Sequence, residues 1–136
     1  MDLYQSMAVS ASGMKAQGTR LKVISENLAN ANTTAETPGD LPYRRKVVTF
    51  QNVLDRTMDV EKVRVGKIDV DKGDFQRRYD PSHPSADADG YVLLPNVSSV
   101  IEAMDMREAQ RSYEANLSAI DTARQMLTRT IEILRT

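Results

Sequence analysis

The chain has 136 residues, 18 Lys and Arg against 19 Asp and Glu, and no cysteine. That length suits one domain, because two would each have a poor core. The balanced charge lacks the sign asymmetry of a nucleic-acid or membrane-surface binder, and the missing thiols exclude disulfides and zinc–thiolate sites.

Residues 3–31 place Met7, Met14, Leu21 and Leu28 seven apart, flanked by Tyr4, Ala8, Ala11, Gly18 and Ile24, the spacing of an apolar stripe along a helix. The small residues let another backbone come close, while Gly13 and Gly18 each cost about 1 kcal/mol of helix propensity relative to Ala. With Lys22 and Glu26 as its clearest ion pair, this helix should be ordered mainly by packing on another helix or on neighbouring subunits. The run Asn27-Leu28-Ala29-Asn30-Ala31-Asn32-Thr33-Thr34 then offers side chains that bond their own backbone, so the helix should stop near Asn30.

All five prolines, Pro38, Pro42, Pro81, Pro84 and Pro95, lie in the middle of the chain, which is therefore poorly suited to helix. Thr37-Pro38-Gly39-Asp40-Leu41-Pro42 is turn chemistry, and Val47, Thr49 and Phe50 predict a short strand within residues 44–54. Val63 and Val65 alternate with charged residues, as do Ile68 and Val70 after a slip at Gly66-Lys67 that reads as a bulge or bend. Lys72-Gly73-Asp74 reads as a hairpin turn into residues 75–79, giving one antiparallel unit of two or three strands. Such a unit must lean on the helices or on another molecule. A loop over residues 80–91 leads to Val92-Leu93-Leu94-Pro95 and to Asn96, the expected helix cap.

Residues 97–136 predict one long helix. Met106, Tyr113, Ile120, Leu127 and Leu134 fall seven apart, and Ile101, Met104, Ala109, Leu117, Ala123 and Ile131 widen that line into a face. A helix reaching from Val97 to Leu134 would measure roughly 57 Å. That length with a narrow apolar stripe points to a coiled-coil element of an elongated assembly. Glu108 with Arg111, Arg111 with Glu114, and Asp121 with Arg124 are i,i+3 pairs suited to its outer face. The fold expected is mainly α, with long N- and C-terminal helices pairing as a coiled coil and a small β-hairpin region with extended loops between them. The helices occupy residues 1–31 and 97–136, and the irregular segment residues 32–96.

Three stretches invite a chemical reading. Ser85, Asp87, Asp89 and Gly90 fit the first positions of a calcium loop, but its last ligand would be Asn96 instead of a bidentate Glu, so turn-capping aspartates are the better reading. Asp80, Ser82 and His83 sketch a triad, yet neighbours in an extended loop point apart and nothing supplies an oxyanion hole. Arg44-Arg45-Lys46 reads as a solvated strand edge. No catalytic, cofactor or metal residue is therefore assigned. The apolar lines Met7, Met14, Leu21, Leu28, Met106, Tyr113, Leu117, Ile120, Leu127, Ile131 and Leu134 are the candidate subunit contacts, since two helices and a hairpin cannot bury both faces within one chain.

Several blocks form a recognisable pattern: Ala11-Ser12-Gly13-Met14, Ser25-Glu26-Asn27-Leu28-Ala29-Asn30-Ala31-Asn32-Thr33, Pro42-Tyr43-Arg44-Arg45, Tyr79-Asp80-Pro81-Ser82-His83-Pro84, Asp87-Ala88-Asp89-Gly90-Tyr91-Val92, Met106-Arg107-Glu108-Ala109 and Arg111-Ser112-Tyr113-Glu114-Ala115-Asn116-Leu117. Over nearly the whole chain these resemble the bacterial flagellar basal-body rod proteins. Asn27, Leu28, Ala29, Asn30, Asn32 and Thr33 form the block shared by rod and hook proteins, and the histidine loop and the Arg111 block are similar to proximal-rod members. The resemblance implies a non-enzymatic subunit, without cofactor or small-molecule substrate, of the torque-transmitting shaft that crosses the periplasm. It also implies export by the flagellar type III apparatus without a cleaved signal. The N-terminus agrees, lacking a basic n-region and an unbroken apolar run, and no stretch approaches the ~20 apolar residues of a membrane span. The partners implied are other rod proteins and copies of the chain in a tube, with no nucleic acid and no membrane insertion. The leading alternative is a soluble helical adaptor or export chaperone; a calcium-binding or hydrolytic domain comes after it.

Overall fold

The computed structural model describes residues 2–135. Its elements in order are α1 (Leu3–Ala29), β1 (Lys46–Asp55), β2 (Val60–Val70), β3 (Gln76–Tyr79), β4 (Tyr91–Leu94) and α2 (Ser99–Arg135). The fold is mainly α, with helices of 27 and 37 residues and two small antiparallel ribbons. No helix among the described residues is long and apolar enough to cross a membrane. The chain divides into two compact units, one of Met1–Leu21, Thr49–Lys67 and Arg107–Thr136, the other of Lys22–Val48 and Ile68–Met106.

In the first unit, α1 meets α2 through small and polar side chains. A Cβ at Gly13 would stand 2.9 Å from the Asn116 side chain, and Arg20 pairs with Glu108 at 3.5 Å. Higher positions on α1 therefore meet lower positions on α2, so the two run antiparallel here. Ala16, Val60, Ala109 and Ala123 form the buried apolar centre. The ribbon of β1 and β2 is fastened to α1 at two points. Ser12 Oγ accepts from Val63 N–H (3.2 Å) while donating to Val9 C=O (2.6 Å), and Gln5 Nε2 donates to Met58 C=O (2.8 Å). Strand β2 runs unbroken through Gly66, where a Cβ would come within 2.8 Å of Gln51.

The expected sheet of two or three strands has to be corrected. Strand β2 does not turn at Lys72-Gly73-Asp74 to pair with β3; the order is β1-β2 in one ribbon and β3-β4 in the other. The β1–β2 turn contains no glycine and was not legible as a turn. Asp55 organises it instead, accepting from Thr57 N–H (2.9 Å) and Lys62 Nζ (2.7 Å), with Asp59 at φ 52°. The proposed turn at Gly73 is held by side chains from elsewhere, described below.

In the second unit β3 and β4 pair from Gln76 opposite Leu94 to Tyr79 opposite Tyr91. The two tyrosine rings at the end of the ribbon meet edge to face, 5.3 Å between centroids. Gly90 between them has φ 83° and would drive a Cβ to 2.9 Å from the Tyr79 ring, so only glycine fits. Val92, Val23 and Ile24 are buried in this unit together with two polar side chains, Asn27 and Glu102. Helix α2 opens with Glu102 N–H on Ser98 C=O (2.9 Å), which makes Ser98 the capping position. Asn96, expected as the cap, is engaged elsewhere.

Candidate functional site

The second unit is held by two asparagine clasps on consecutive residues. Asn27, in the last turns of α1, satisfies all four of its hydrogen-bonding positions. Its Oδ1 accepts from Lys46 N–H (2.9 Å) and Tyr43 Oη (2.9 Å); its Nδ2 donates to Lys46 C=O (2.9 Å) and to Glu102 Oε2 (3.0 Å). The carboxamide thus pairs with both backbone groups of Lys46 as a neighbouring strand would. One residue earlier, Arg45 N–H donates to Asn96 Oδ1 (2.8 Å), whose Nδ2 reaches the carbonyls of Asp71 (3.1 Å) and Gly73 (3.3 Å). Arg44 adds bonds to the same two carbonyls and lies over the Phe75 ring, 4.2 Å from its centroid. These contacts occupy the segment that the sequence suggested would be a free hairpin turn.

Glu102 is fully buried, and its charge is met by Arg45 Nε at 2.5 Å. Arg45 also faces Asp105 (3.5 Å) and Asp71 (3.7 Å), one guanidinium among three carboxylates. Desolvation opposes its charge, but the Glu102 hydrogen bond and the attraction of Glu102, Asp71 and Asp105 outweigh it and hold its pKa up. Burial pushes the Tyr43 hydroxyl up, favouring the protonated form that donates to Asn27. Lys46 and Glu26 pair at 2.9 Å; that bond lowers the carboxyl and raises the ammonium. Arg44-Arg45-Lys46 is therefore a structural hub and not the solvated edge expected, because carboxylates at positions 26, 71, 102 and 105 converge on it.

The remaining block of the shared motif closes α1. Asn30 Nδ2 donates back to Glu26 C=O (2.8 Å) and Thr33 N–H bonds Asn30 C=O (3.1 Å), which satisfies end carbonyls as the helix stops. Leu28 is half-buried, Ala29 and Asn32 are exposed. In the histidine loop, Ser82 Oγ donates to Asp80 (2.8 Å), whereas His83 Nδ1 accepts from Ser85 N–H (3.1 Å) and Nε2 contacts Thr34 Oγ1 (3.2 Å). The sketched triad thus does not converge. Asp87 caps the N–H groups of Asp89 (3.0 Å) and Tyr91 (2.8 Å) and pairs with Arg77 (3.0 Å), as the turn-capping reading required.

The expected subunit contacts separate into two groups. Met7, Met14, Leu21, Leu28, Met106, Tyr113 and Ile120 are half-buried within the chain, while Leu117, Leu127, Ile131 and Leu134 are exposed. The most deeply buried line on α2 in the first unit is Ala109 and Ala123, with Asn116 between them against Gly13. Four residues on from Ala123 this face continues as Leu127, Ile131 and Leu134, and every residue from 124 to 135 is exposed.

Helices that close on each other through small residues while keeping large apolar ones outside belong to a component completed by neighbours. Residues 7–35 match the family model for flagella basal body rod proteins, and residues 88–133 match that for the C-terminal region of flagellar basal body rod FlgEFG proteins. Over 133 residues the chain is 51% identical to the flagellar basal-body rod protein FlgC of Agrobacterium fabrum, covering 98% of this chain and 96% of that one. The FlgC of Bacillus subtilis is 40% identical (98% and 99% covered), and that of Salmonella typhimurium 35% (98% of each). The class is thus that of the flagellar rod proteins. Within it, the chain belongs to the FlgC family of basal-body rod proteins.

Proposed function

We propose that this chain is a structural subunit of the flagellar basal-body rod, at its proximal end, and that it joins other rod proteins and further copies of itself in a tube that transmits torque. The observation that carries the assembly role is the end of α2: residues 124–135 are all exposed yet include Met126, Leu127, Ile131, Ile133 and Leu134. An isolated chain would leave that apolar strip in water, and assembly removes it. The two helices act as one coiled-coil axial domain, residues 1–31 with 97–136, and residues 32–96 form its outer part. The candidate contacts Met7, Met14, Leu21, Leu28, Met106, Tyr113, Leu117, Ile120, Leu127, Ile131 and Leu134 work in both senses, some within the pair and some between subunits. Export through the flagellar type III apparatus without a cleaved signal, and a place in the shaft crossing the periplasm, complete the reading. The adaptor alternative finds no support among the relatives above.

The test is complementation of a flagellated strain lacking this chain. The wild-type sequence should restore swimming and appear in purified basal bodies, whereas Leu127→Asp should accumulate in the cell and leave it non-motile. The charge would be buried against a neighbour without a counter-ion. Normal swimming by the Leu127→Asp strain would remove Leu127 from the interface.

A further inference from the structure

We infer that the open groove between α1 and the ribbon of β1 and β2 in the first unit is a docking site for an acidic amphipathic helix of another protein. The groove measures about 550 Å³ and has two walls. Helix α1 contributes Ser12, Lys15, Ala16 and Thr19, the i, i+3, i+4 and i+7 positions that make up one side of a helix. The ribbon contributes Val53 from β1 and the stretch from Lys62 to Val65 of β2. Ala16, Val53, Val63 and Val65 give the groove its apolar surface, and Val53 is 40% exposed. A helix side set against a ribbon and open to solvent has room for one more element, and a partner helix with apolar anchors at the same spacing fits it.

Charge decides which helix. Most polar groups of the groove are already committed within the unit. Ser12 Oγ donates to Val9 C=O and accepts from Val63 N–H, Thr19 Oγ1 donates to Lys15 C=O (3.2 Å), and Lys62 pairs with Asp55 at 2.7 Å. That leaves Lys15 on the helix wall and Arg64 on the ribbon wall, both exposed and neither in an ion pair with any described residue. An occupant that answers both carries carboxylates on either side of an apolar ridge, whereas an amphiphile with a single head group answers one. The exposed apolar strip at the end of α2 does not qualify. Residues 124–135 carry Arg124, Arg129 and Arg135 against Glu132, a net +2, and the cations of the groove repel them. Acidic flanks on an apolar ridge thus describe a segment of a different chain.

The test uses the full-length chain and labelled peptides of about 18 residues, long enough to hold a helix. One has Leu at the i, i+3, i+4 and i+7 spacing flanked by Glu, a twin has Lys in place of Glu, and a third is the Glu peptide scrambled so that no ridge forms. Fluorescence anisotropy should show the acidic helix binding at least about tenfold more tightly than either control. Lys15→Glu combined with Arg64→Glu should reverse the order of the two twins with unchanged circular dichroism, since both positions are exposed. Val53→Asp should weaken the acidic helix by about tenfold, because it puts charge on the apolar surface. Equal binding of the twins, an unreversed order in the charge-swapped chain, or no binding at all would overturn the proposal. So would displacement of the peptide by dodecanoate or by phosphatidylglycerol vesicles as readily as by unlabelled peptide, which would give the groove to an amphiphile or a membrane surface. In the complemented strain Val53→Cys, the sole cysteine of its chain, should carry a benzophenone into a cross-link with an Asp- and Glu-rich segment of a different protein; attachment only to a second copy would count against it equally. The peptide assay is independent of motility, so a chain missing from basal bodies would sink the rod reading and leave the groove result standing.

Discussion

Asn27 and Glu102 stand 75 residues apart in sequence and 3.0 Å apart in the interior of the second unit. Through that bond the end of α1 and the first turn of α2 share one buried carboxylate, whose charge is carried by Arg45. The arrangement is polar throughout, so its strength lies in completeness: each donor and acceptor has a partner, and removing one strands the others.

Arg45→Ala should therefore be the most damaging single change outside the apolar core. It leaves the fully buried Glu102 without a counter-ion, at a cost of about 3–5 kcal/mol. Adding Glu102→Gln to that variant should recover part of the loss, because a neutral amide needs no guanidinium. Urea unfolding of the four chains forms the cycle, and additive effects would show that the two side chains do not act together.

The glycines of α1 should part company. Gly18 has open space where a Cβ would go, so Gly18→Ala should stabilise the free chain by up to about 1 kcal/mol. At Gly13 the same change pushes on Asn116, which is itself bonded to Ser112 C=O at 2.9 Å, and the gain should be smaller or reversed. Equal shifts in thermal midpoint would contradict the packing of Gly13 on α2.

Acid should reach the tip of the second ribbon only at low pH. The Tyr91 and Asp89 N–H groups and Arg77 hold the Asp87 carboxyl below the usual aspartate value. With a depressed folded value, its contribution is present above the unfolded pKa and fades as pH falls through the folded one. Amide protection at Asp89 and Tyr91 should thus persist down to about pH 4 and fall below it, and Asp87→Asn should weaken it at neutral pH. Loss of protection beginning near pH 6 would rule out Asp87 as the group responsible.

His83 ties Thr34, in the connection after α1, to Ser85 in its own loop. His83→Ala should speed amide exchange at Ser85 severalfold and loosen the segment around Thr34 while leaving cells motile. Loss of motility with normal folding would mean that this loop makes a contact in the assembly.

The two helices were legible because seven-residue spacing survives over several turns and the Asn-rich run marks where α1 stops. What the spacing did not reveal was which line would face inward. Apolar size favoured Met106, Tyr113 and Ile120, yet in the first unit the deepest burial on α2 falls at Ala109 and Ala123, and Gly13 of α1 lies against Asn116 between them. The strand pairing was misread because Gly73 advertises a turn, while the turn actually used is organised by a single aspartate, Asp55. Asn27 was visible as part of a motif but its work was not, since its partners are the backbone of Lys46 and a glutamate distant in sequence. The hub at Arg45 was hidden for the same reason: local sequence shows three basic residues, and only the fold brings the carboxylates to them.

The completeness of the Asn27 clasp also bears on chemical ageing. Deamidation to aspartate would change the shape of the side chain very little but turn the Nδ2 donor into an anionic oxygen 3.0 Å from Glu102 Oε2, two like charges side by side in a buried site. One such event would open the second unit. Asn27 sits within α1, followed by Leu28 and Ala29, and helical geometry holds the Leu28 amide away from the side-chain carbonyl that would have to be attacked to close the succinimide ring. The helix that the clasp anchors thereby extends the working life of the clasp.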